Sequence, residues 1–86
     1  MTVNETLTER GKKYGEFPAH AVIAQELKRT VTQYGHGLAD WHKEALDMIM
    51  HKVARILNGD PDYADSWHDI AGYAVLVEQK ILKSSK

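Results

Sequence analysis

The stretch Asn58-Gly59-Asp60-Pro61 decides the fold. A glycine there stops one helix, an aspartate caps the next, and a proline fits the next first turn, where its missing N–H costs nothing. On its N-terminal side Ala45, Ile49, Val53 and Ile56 recur at spacings of four, four and three. Residues 41–58 therefore read as an amphipathic helix, with Asp40 as its N-cap. On the other side, residues 61–83 read as a further helix. So short a connection makes the two an antiparallel hairpin.

The rest of the chain repeats this grammar. Phe17-Pro18 opens a helix whose apolar stripe runs through Ile23, Leu27, Val31 and Tyr34 and ends at Gly35-His36-Gly37. Thr2-x-x-Glu5 has capping-box spacing and starts a helix over residues 3–14, which stops at Tyr14-Gly15. Gly11 weakens that helix by ~1 kcal/mol relative to alanine, so it depends on docking. No segment alternates with period two. The expected fold is all-α: one domain over residues 1–86, a compact bundle of about four helices with a C-terminal antiparallel helical hairpin.

Composition limits what such a chain does. Its 86 residues bury only about 60–65% of the unfolded surface, a marginal core. There is no cysteine for a disulfide or thiolate metal site. Eleven basic against twelve acidic residues, a net charge of −1, argues against general nucleic-acid binding. No stretch approaches the roughly 18–20 apolar residues of a membrane span, and no signal peptide opens the chain. These features predict a cytoplasmic protein. The octet Ile70-Ala71-Gly72-Tyr73-Ala74-Val75-Leu76-Val77 is apolar all round. A helix of that kind is either central in a bundle or covered by another subunit, so a homo-oligomer, dimer or larger, is expected.

Candidate chemistry sits in the second half. Asp65 and Asp69, four apart, share a helix face, a spacing that suits Mg²⁺; the plainer alternative is stabilisation by a helix N-terminus. Asp69 also borders the apolar octet and wants a cation, metal or arginine. Glu44, Asp47, His51 and Arg55 follow at three, four and four on the preceding helix, with Lys52 alongside. Acids there would hold metal and Lys52 with Arg55 would hold phosphate; the alternative is a solvated polar face. Across the hairpin, Arg55 is expected to meet Asp65 or Asp69. Arg10, Lys12, Lys13 and Tyr14 form a basic cluster with one aromatic, suited to holding a phosphate or stacking a base, or simply to solvent. The five histidines include no His-x-x-x-His pair for zinc. Trp67 reads as core.

Three stretches together, Glu9-Arg10-Gly11-Lys12-Lys13-Tyr14-Gly15-Glu16-Phe17, Glu44 through Leu57, and Asn58 through Ala74, resemble a small family of uncharacterised proteins of tailed bacteriophages and prophages. That resemblance implies a host-cell cytoplasmic setting and no specific activity. A weaker one carries more chemistry. Acids with a Lys-x-x-Arg, a short turn, then Asp-x-x-x-Asp-x-Ala-x-Tyr-Ala is similar to MazG-like and nucleotide-modification-associated helical proteins. In the MazG-like superfamily, acids on neighbouring helices hold Mg²⁺ against a nucleoside triphosphate, and water releases pyrophosphate. The resemblance places Asp69 at the final aspartate of the second acidic motif. Asp65 stands one residue further away than that superfamily's spacing, and Glu44 with Asp47 gives Glu-x-x-Asp where Glu-x-x-Glu is usual.

The leading expectation is a nucleotide or other phosphorylated small molecule as ligand. With catalysis, the protein would be a Mg²⁺-dependent phosphoanhydride hydrolase using Asp69, Asp65, Glu44 or Asp47 for metal and Lys52 and Arg55 for phosphate. Without catalysis, it would sequester a nucleotide signal through Arg10, Lys13, Tyr14 and Arg55. A third expectation is a helical interaction module that binds a host protein.

Overall fold

In the computed structural model, which describes residues 2–84, four helices follow one another: α1 (Val3–Tyr14), α2 (Phe17–Tyr34), α3 (Asp40–Asn58) and α4 (Ala64–Ser84). The all-helical bundle is compact in section and drawn out along one axis, 48 × 25 × 23 Å. No helix among the described residues is long and apolar enough to cross a membrane.

Local chemistry sets the helix ends. Thr2 accepts from the Glu5 amide, 3.1 Å, and caps α1. Gly15 ends it at φ 79°, where glycine has no Cβ to clash. Pro18 falls in the first turn of α2, as its fixed φ favours. Two boundaries differ from the sequence expectation. The N-cap of α3 is Ala39, with Asp40 already helical, and the Ala39 amide donates to His42 Nδ1 at 3.0 Å. The last helix begins at Ala64 because residues 60–63 form a turn instead. Asp60 spends its carboxylate on the Asp62 amide, 2.9 Å, and its carbonyl accepts from the Tyr63 amide.

The centre of the bundle is α3, which packs against all three other helices; among the described residues, α4 packs only on α3. Trp41 lies opposite Lys80, and Lys52 opposite Asp69, so the α3–α4 hairpin is antiparallel. The apolar octet on α4 is thus not central. Its residues Ile70, Tyr73 and Val77 are half-buried while Ala71, Gly72, Ala74, Val75 and Leu76 are exposed. Trp67 is also exposed, at 55%, because its indole N–H reaches back over the turn to the Pro61 carbonyl, 2.7 Å.

A backbone lock joins the α1–α2 corner to the α3–α4 turn. The α1–α2 corner rests on the α3–α4 turn so closely that a Cβ on Gly59 would overlap the Lys13 carbonyl and the Tyr14 Cα. One on Gly15 would overlap the Asn58 carbonyl. Across this contact the Asp60 amide donates to the Lys13 carbonyl, 2.7 Å. The Asn58 side-chain amide donates to the carbonyls of Tyr14 and Glu16, 2.9 and 3.0 Å. Those carbonyls belong to a helix end and its corner, which would otherwise need water. This lock holds α1 over α3 and creates the space described next.

Candidate functional site

Between α1, the α1–α2 corner and the centre of the bundle lies a cavity of about 370 Å³. Arg10 and Tyr14 line it from α1, Phe17 and His20 from α2, and His51 and Arg55 from α3. Glu16 at the corner supplies its one carboxylate. The volume falls in the range of about 300–1,000 Å³ common for small-molecule sites.

The Arg55 guanidinium stacks over the Tyr14 ring, 4.3 Å from its centroid. Stacking uses the guanidinium face and leaves its edge N–H donors for another partner. Among the described residues, neither Arg10 nor Arg55 forms an ion pair. His20 and His51 meet edge to face at 4.7 Å. Lys28 has no acceptor to offer, so it donates to His51 Nδ1 at 3.2 Å, and the neutral ring carries its proton on Nε2. Burial first, then the charges of Lys28, Arg55, His20 and Lys52, pushes His51 down to about 4. Burial and the same two cations, Arg55 and Lys28, also lower His20. His20 is 7% exposed, and its Nδ1 is buried without a hydrogen-bond partner among the described residues.

The sequence-predicted residues separate into groups. Arg10, Tyr14 and Arg55 share the cavity. Lys13 lies elsewhere, 3.5 Å from both Glu9 and the Tyr63 hydroxyl. The hydroxyl in turn donates to Asp65, 2.9 Å, an interaction that raises the Tyr63 pKa. Lys52, not Arg55, meets Asp69 across the hairpin, at 3.0 Å. Asp47 pairs with Lys43 at 2.6 Å, and its other oxygen is buried without a partner among the described residues. Glu44 is exposed beside Trp41, Tyr73 and Lys80. The four acids expected to bind metal thus take different neighbours, and among the described residues no group of three or more His, Asp or Glu is placed to hold an ion.

Sequence reasoning passed over His20, His51 and Lys28 as a unit. One signal was available: His20 is in phase with Ala24, Leu27 and Val31, so a polar ring occupies the buried stripe of α2.

The ion pair yields a modest prediction. Lys52 is 12% exposed, Asp69 44%, so solvent screens much of their attraction. Asp69→Ala is expected to cost about 1 kcal/mol in urea unfolding, and the Lys52→Met, Asp69→Ala double variant to regain it.

Comparison with known proteins places almost the whole chain. Residues 2–81 match DUF6378, described as a domain of unknown function. The chain belongs to the DUF6378 family. No curated protein and no solved structure matches it. In this DUF6378 chain the matched region contains every residue of the cavity and of the backbone lock.

Proposed function

We propose that the cavity binds a nucleotide or a related phosphorylated small molecule, without an obligatory metal. The observation that carries this reading is the convergence of Arg10 and Arg55, neither ion-paired, with Tyr14 and Phe17 in one cavity. Guanidinium edges suit phosphate oxygens, and the aromatic faces suit a base. Two histidines held neutral keep further donors and acceptors at the inner wall. The Mg²⁺-dependent hydrolase that a MazG-like resemblance implies draws less support. Asp65, Asp69, Glu44 and Asp47 lie outside this cavity and are engaged with, or set beside, other groups. A phage setting for such a binder would suit sequestration of a nucleotide signal.

Calorimetry with ADP and with inorganic pyrophosphate tests the reading. Both should bind in the presence of EDTA, and Arg55→Gln should weaken both by about tenfold or more, since a charge-assisted contact contributes about 1.5–3 kcal/mol. Tyr14→Ala should weaken ADP more than pyrophosphate. Absence of binding by either probe would overturn the proposal. Binding that appears only with Mg²⁺, and is lost in Asp69→Asn, would return the hydrolase.

A further inference from the structure

The outer side of α4 is largely apolar and, among the described residues, no other helix packs against it, because α4 packs only on α3. Trp67, Ala71, Ala74, Val75 and Leu82 are all exposed there, at spacings of four, three, one and seven, with Glu78 completing the stripe. Trp67 is 55% exposed, Val75 47% and Leu82 59%. The stripe is its own reverse about the Ala74–Val75 bond. Turning the helix end for end sets Trp67 on Leu82, Ala71 on Glu78 and Ala74 on Val75. A surface with that property complements a second copy of itself across a two-fold axis. Charge obeys the same reversal, since Asp65 lies in the first turn of α4 and Lys83 in the last. An antiparallel pair brings each near its opposite.

The amount of surface agrees. The chain exposes 6279 Å². A monomer of this mass exposes roughly 5,100 Å², an excess of about 1,200 Å². Stable dimers cover about 800 Å² per partner. The interior points the same way: the buried apolar residues are Ala24, Ala45 and Ala54, and no large side chain among the described residues is fully buried.

We propose that two copies of this chain pair through the outer faces of their α4 helices, antiparallel, about a two-fold axis at Ala74–Val75. The small side chains of Ala71 and Ala74 let the helices approach closely at the centre. Trp67 of one copy covers Leu82 of the other at each end. The cavity lies among α1, α2 and α3 and stays open in this dimer, so the proposal stands or falls apart from the ligand reading.

Light scattering after size exclusion tests it. Wild type should elute at twice 9.7 kDa, and Val75→Asp at the single-chain mass with its helical circular dichroism retained. A second measurement covers the case in which Val75→Asp unfolds. The chain has no cysteine, so Ala74→Cys should form an intermolecular disulfide under mild oxidation. Val22→Cys, at an exposed apolar position on α2 (58%), should not form one in the same time. A wild type of single-chain mass at high micromolar concentration would overturn the proposal. So would crosslinking of Val22→Cys as fast as Ala74→Cys.

Discussion

Replacing Gly59 by alanine is expected to destabilise the chain by about 3 kcal/mol. The added methyl would meet backbone, the Lys13 carbonyl oxygen and the Tyr14 Cα, not the movable end of a side chain. Neither atom gives way without shifting the last turn of α1. Overpacking of this kind costs about 1–3 kcal/mol. The shift would also stretch the Asp60-to-Lys13 backbone bond and the two bonds from Asn58, each contributing about 1 kcal/mol. A domain of this size holds roughly 5–10 kcal/mol in total, so the loss is a large share. Gly11 provides the contrast. A Cβ there meets nothing within 4 Å. Gly11→Ala should therefore gain up to ~1 kcal/mol by helix propensity. Urea unfolding of the two variants beside wild type checks both signs, and a Gly59→Ala variant as stable as wild type would refute the backbone lock.

The positions that end helices were the legible part of this chain. Thr2, Gly15, Pro18 and Gly59 mark helix ends through backbone geometry and hydrogen bonds a few residues away, so that meaning survives without knowledge of the fold. The start of α4 was harder to read because Asp60 faced two local uses, a helix cap or a turn around Asp62, and the turn won. The site was legible only in part, for a different reason. Glu44, Asp47, His51 and Arg55 look like one stripe when a helix packs on one side. Here α3 is surrounded, and residues one to four positions apart reach different neighbours: His51 meets Lys28 on α2, Lys52 meets Asp69 on α4, and Arg55 meets Tyr14 on α1. Helical spacing gives angles around one axis, not the identity of what stands at each angle. Arg10, Tyr14 and Arg55 could be suspected singly as anion contacts, but their meeting depends on the lock between two turns 44 residues apart.

Acidification should cost the chain about 1–2 kcal/mol of stability between pH 7.5 and pH 5, through His51 above all. Its folded pKa is about 4, against 6.5 for an ordinary histidine. Between these values the unfolded chain binds the proton and the folded chain does not. Stability is therefore complete above about pH 6.5 and falls as pH drops toward 4. The cause is physical and local. The ring is partly shielded from water, and its neighbours are Lys28 and His20 from α2 with Arg55 and Lys52 from its own helix. His20 is lowered for similar reasons and adds to the loss with the same sign. Because the rings are in contact, the two titrate as a pair. Urea unfolding at pH 7.5, 6 and 5 measures the effect above the range in which most carboxylates protonate. His51→Gln retains an acceptor for Lys28 and cannot take up a proton, so its stability should fall less over the same interval. An anion bound beside Arg10 and Arg55 would favour the charged imidazoles that burial and the neighbouring cations disfavour. Wild type in saturating pyrophosphate should therefore lose less stability on acidification than wild type alone, and binding should be accompanied by proton uptake near pH 5. A pH dependence unchanged by pyrophosphate would place that anion somewhere other than the histidine wall.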